Sequence, residues 1–160
     1  MAVGVEQNLD GHAEEPGRFP GISPALHQPR CSFPEHNILL IEVDYWVGAS
    51  WLLVWVETGK STAIVAPPHY SPDKRWLASV AYSVGPSGPP NGMDIVPSIP
   101  DRKFKEWHYR TPDDGKWLYE FSRWDGNTRV NVLASSLGSP QRSTTTIEFR
   151  NGDRHFSEPE

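Results

Sequence analysis

Apolar residues recur along this chain with a period of two, in short runs separated by Pro, Gly, Asn and Asp. That alternation is the signature of strands, and no segment shows a sustained helical period. The most apolar run is Ile38 to Val56. Its length approaches a membrane span. Glu42 and Asp44 lie inside it, however, and a carboxylate at a span centre costs roughly 2.5–3.5 kcal/mol. Those carboxylates also alternate with Ile41, Val43 and Tyr45, so the run divides into two strands with a turn at Val47-Gly48-Ala49-Ser50. In the second, Trp51, Leu53 and Trp55 oppose Leu52, Val54 and Val56; a strand apolar on both faces belongs in the middle of a sheet.

The remaining runs follow the same logic. Glu57-Thr58-Gly59-Lys60 predicts a hairpin with Gly in a left-handed position, leading into a strand from Ser61 to Val65 that Pro67 and Pro68 end. Further strands are predicted over Arg75–Ser83, Met93–Val96, Phe104–Tyr109, Trp117–Ser122, Thr128–Ala134 and Thr144–Arg150. Asp125-Gly126-Asn127 is a hairpin signal between two of them. Gly85 to Gly92 forms the longest polar loop inside the domain, and loops on a rigid sheet are frequent binding elements. The reading is all-β: an open antiparallel meander. Residues 1–36, with Pro16, Pro20, Pro24, Pro29 and Pro34, read as a disordered segment, 37–152 as one domain, and 153–160 as a frayed tail.

One pattern occurs twice. Ser71-Pro72-Asp73-Lys74-Arg75-Trp76-Leu77 and Thr111-Pro112-Asp113-Asp114-Gly115-Lys116-Trp117-Leu118 each join a Pro-Asp turn to a basic residue, a Trp and a Leu entering a strand. The second copy, continued through Asp125-Gly126-Asn127 to Val132, resembles a blade of the TolB-like β-propellers. The stretch from Thr58 into the first copy is similar to uncharacterised bacterial proteins with the same unit. The resemblance covers roughly residues 53–150. It implies about two blade-like repeats and carries almost no information on activity. Closed propellers need about four to eight blades, so an incomplete propeller, a small sandwich or a barrel is expected. The copies depart from the family pattern at Lys74, where Gly is usual, and at Ser79 and Glu120, where apolar residues are usual.

Composition changes this picture in three places. The balance of 15 Lys and Arg against 20 Asp and Glu gives −5, with the basic residues scattered. That argues for a soluble chain and against a nucleic-acid groove or an anionic membrane surface. A lone Cys31 excludes an internal disulfide. With no basic-then-apolar leader in the first thirty residues, the compartment reads as cytoplasmic, or as periplasmic or secreted if a leader is missing. Seven Trp residues are the anomaly.

Candidate chemistry is sparse. There is no P-loop, dinucleotide fingerprint, zinc spacing or Gly-x-Ser-x-Gly elbow, and no cofactor is implied. His69 and His108 each precede a Pro-Asp turn, so with Asp73, Asp113 or Asp114 they are candidate ligands for a metal at a shared rim; Asp beside Pro more often serves the turn itself. Trp107, Tyr109, Trp124 and Asp125 are candidates for a ligand platform, against the plainer reading of the Trp residues as core and cross-strand ladder. The expected function is a non-catalytic module binding a protein or peptide, or a second copy of itself, through a sheet edge or the loop at 85–92. A carbohydrate or small-ligand domain using exposed Trp is the alternative, and a hydrolase with a His/Asp rim site a distant third.

Overall fold

The computed structural model describes residues 26–45, 48–82, 91–100, 105–111, 116–136, 138–139, 141–150, 153–157 and 159. They form twelve strands in three consecutive four-stranded antiparallel sheets. The first sheet contains β1 (Leu26–Phe33), β2 (Ile38–Tyr45), β3 (Gly48–Trp55) and β4 (Lys60–Ile64), with a 3-10 turn at Pro34–His36 between the first two. The second contains β5 (His69–Tyr70), β6 (Trp76–Ala81), β7 (Gly92–Pro97) and β8 (Trp107–Arg110). The third contains β9 (Trp117–Asp125), β10 (Arg129–Ser136), β11 (Arg142–Arg150) and β12 (Asp153–Phe156). Within each sheet the strands run in chain order, and none of the sheets closes.

The chain is therefore all-β and open, as the period-two pattern requires, with three sheets where the doubled motif implies about two units. The first sheet has no Pro-Asp turn to announce it. Of the segment read as disordered, residues 1–25 lie outside the described residues, while 26–36 form β1 and the 3-10 turn. Pro29 is tolerated there because β1 is an edge strand whose register shifts between Pro29 and Cys31. The tail read as frayed pairs instead with β11 as β12. Of the turn placed at 47–50, Val47 lies outside the described residues, while Gly48, Ala49 and Ser50 belong to β3.

Two apolar cores separate three layers. Ile38, Leu40, Leu53, Trp55 and Ile64 of the first sheet pack with Leu77 and Val96 of the second. Ala78, Val80, Met93 and Ile95, on the opposite face of that second sheet, pack with Tyr119, Val130, Val132, Ala134 and Ile147 of the third. The second sheet is thus buried on both faces, and every residue of β7 is buried. Successive residues of β6 and β7 point to opposite cores, as the pleat dictates. Fully burying one such aliphatic side chain contributes about 1.5–3 kcal/mol.

The doubled motif does not occupy equivalent places. Its first copy turns β5 into β6 within one sheet, whereas the second lies between β8 and β9 and carries the chain from the second sheet to the third. In the first copy Lys74 N–H donates to Ser71 O (2.8 Å), closing the turn. The Ser71 hydroxyl donates to Asp73 Oδ1 (2.7 Å) and accepts from Trp76 N–H (3.0 Å). Lys74 sits at φ +57, in the left-handed region that the related motif fills with Gly. Gly59 likewise has φ +65, as its hairpin requires.

Candidate functional site

The sequence-derived candidates scatter over two junctions. Trp107 and Tyr109, two residues apart on β8, share a face and stack with ring centroids 6.2 Å apart and planes 12° from parallel. Both are half-buried against the core between the second and third sheets, and both rings meet Phe156. Trp124 lies on β9, edge-on to Phe149 at 5.9 Å, and its indole N–H donates to His69 O (3.1 Å). These rings are spent largely on sheet packing. Asp125 is exposed and pairs with Arg129 (3.6 Å) on the outward face of the third sheet.

The two histidines do not meet. His69 lies on β5 and His108 on β8, the opposite edges of the second sheet. At about 4.8 Å per strand that is about 14 Å, several times the reach of a shared metal ion. They also face opposite ways: His69 is registered with Ala78, in the second–third core, and His108 with Asp94, which points to the first sheet. The His69 ring stacks on Phe121 at 4.0 Å, and desolvation there lowers its pKa from the ordinary 6.5. Asp113 and Asp114 lie outside the described residues, as do positions 85–90 of the candidate loop. Among the described residues, no group of three or more His, Cys, Asp or Glu is placed to hold a metal ion.

The concentrated polar chemistry is at Asp94, a residue with no motif around it. Its carboxylate is fully buried and accepts from Arg110 Nη1 (2.6 Å), His108 Nδ1 (2.8 Å) and the Val65 N–H (2.7 Å). Beside it on β6, buried Ser79 exchanges two bonds with the backbone of Ala66: its Oγ accepts from N–H (2.8 Å) and donates to O (2.7 Å). Together they clamp the segment that crosses from β4 to β5. A polar Ser79, where the blade pattern has an apolar residue, is what this clamp needs. On its outer side His108 Nε2 lies 3.3 Å from Glu106 Oε2, which also accepts from Thr62 Oγ1 (2.7 Å). The bonds from Val65, Ala66 and Thr62 tie the first sheet and the segment that follows it to the second, while Arg110 and His108 brace Asp94 from within the second sheet, so the chemistry of the cluster is that of a structural joint.

A second joint lies at the other end of these sheets. Ser98 accepts from the Trp55 indole through its carbonyl (2.9 Å) and donates from its hydroxyl to Lys74 O (2.6 Å). Two small clefts of about 210 and 230 Å³ flank the neighbouring Ile99, which is 61% exposed. On the third sheet, Arg154 lies over the Trp76 ring at 4.4 Å and near Phe149 at 5.3 Å. Desolvation lowers its pKa, opposed by Asp153.

The two ends of the stack differ sharply. Directly opposed residues of an antiparallel pair share a face. On the outward face of the first sheet the register therefore sets Leu39 beside Val54, Ile41 beside Leu52, and Val43 beside Ser50, with Ser61 and Ala63 alongside on β4. Those five large aliphatics belong to neither core. Four are half-buried and Val43 is buried. The double-sided apolar pattern of β3 thus marks an inner strand, with only one of its faces covered by another sheet. At the opposite end, the outward face of the third sheet is a polar groove lined by Asp125, Arg129, Asn131, Thr146, Glu148, His155 and Ser157. Arg129 Nε donates there to Glu148 Oε1 (3.0 Å).

Among the described residues, no helix is long and apolar enough to cross a membrane. Compared with family models, curated proteins and solved structures, the chain finds no match in any of the three, so what it is must be argued from its own surfaces.

Proposed function

We propose that this chain is a non-catalytic protein-interaction module: an open stack of three blade-like sheets, of the TolB-like kind, that docks a protein on its apolar end. The carrying observation is the outward face of the first sheet, where Leu39, Ile41, Val43, Leu52 and Val54 gather without a charge among them. Propeller blades bury both faces against neighbouring blades. Here the second sheet does so, and the third ends the stack on a polar, ion-paired surface. Among the described residues, only the first sheet has an apolar face that neither core takes up, with Leu39, Ile41, Leu52 and Val54 half-exposed on it. Its flanking strand, β4, pairs with β3 alone among the described residues, and an open edge next to an apolar face favours association by its chemistry.

A photo-reactive p-benzoylphenylalanine placed at Val54, with a second variant carrying it at Thr144 on the polar end, tests this in cells. Discrete adducts of higher mass are expected from position 54 and not from 144. Equal adducts from both positions, or none from 54, would defeat the reading.

A further inference from the structure

We infer that the occupant of this apolar face is a second copy of the chain, the two first sheets packing face to face about a two-fold axis. The inference rests on the interaction reading above and adds the partner.

Three features support it. The ends of the stack are unlike, so chains cannot add head to tail: an apolar first sheet laid on the third would strip water from the Arg129–Glu148 and Arg129–Asp125 pairs with nothing to replace it. Like must meet like, and pairing two apolar ends closes after one step, as an isologous dimer does. The area suits a weak, reversible dimer. Three strands of eight residues and one of five, at about 4.8 Å spacing, give a footprint of about 460 Å² per copy, or about 920 Å² in the pair, the size of a transient interface. The electrostatics are permissive, because the register puts no charged residue at the outward positions of β2, β3 and β4. The −5 charge of each copy therefore lies off the contact, where salt screens it. Face-to-face sheets packing at the usual small angle would interleave Leu39, Ile41, Leu52 and Val54 of each copy.

Sedimentation equilibrium of the purified full chain from about 1 to about 100 μM is the test. A species of twice the 18.0 kDa chain mass is expected. Leu52→Lys should weaken association by about 100-fold or more with far-UV dichroism unchanged, while Thr144→Lys leaves it intact. A chain monomeric at every concentration overturns the inference, as does a dimer that Leu52→Lys leaves unchanged. In the purified protein, crosslinks from position 54 to residues 1–25 of the same chain would also overturn it. If the chain is monomeric yet position 54 still gives adducts with another protein in cells, only the inference falls. If it gives no adducts either, the interaction reading falls with it.

Discussion

Three donors converge on the carboxylate of Asp94, and a fully buried anion is tolerable only because all three are in place. His69, at the opposite edge of the sheet, is exposed along one side but shows what partial desolvation does. One face of its ring lies on Phe121, which removes water without supplying a counter-charge, so its pKa falls below 6.5. The unfolded chain then takes up this proton first as the pH drops. Stability is complete above about pH 6.5 and is lost as the pH falls through the lowered value of the folded state. His69→Phe keeps the stacked ring and deletes the proton. The drop in urea midpoint between about pH 7.5 and about pH 5 should be smaller in that variant than in the parent. An equal drop would show that this imidazole is not a source of acid sensitivity.

At the scale of elements, the turn from β5 into β6 carries its own test. Lys74 holds φ +57 where a Cβ clashes with the following carbonyl, at about 1–2 kcal/mol for a non-Gly residue. Gly at that position gives back part of this through its greater freedom in the unfolded chain. Lys74→Gly should still stabilise the protein by about 0.5–1 kcal/mol, seen as a raised thermal midpoint; an unchanged or lowered midpoint would mean the turn is relaxed as it stands. The sequence made this turn legible, along with the Gly59 hairpin and most strands, because each depends on residues within a few positions. What it could not show depends on register and on neighbours far along the chain. Asp94 acquires meaning only when β7 pairs with β8 and sets it opposite His108. The two histidines depend on the same distant information: each precedes a similar Pro-Asp sequence, yet they lie on opposite edges of the second sheet. Trp107 and Tyr109 share one face of a strand, as the alternation predicts, and that face meets Phe156. Nothing local distinguishes a ring that will stack in a core from one that will stack on a sugar.

The described residues form a three-layer stack whose middle layer belongs to both cores, and this arrangement makes a claim about cooperativity. Leu77 faces the first sheet and Ala78, its neighbour on β6, faces the third. Neither outer sheet has a second partner among the described residues. Loss of the middle sheet therefore removes the main support of both, and the stack should unfold as one unit. Leu77→Ala empties part of the first core only, at about 3 kcal/mol for a fully buried leucine. If the unit is single, that loss appears undiminished in the third sheet. Slowly exchanging amides of β10, which never touch Leu77's core, should lose as much protection as those of β2 and β3. Protection that falls in the first sheet alone would instead show the sheets opening independently, each blade stable by itself and the stack merely their sum.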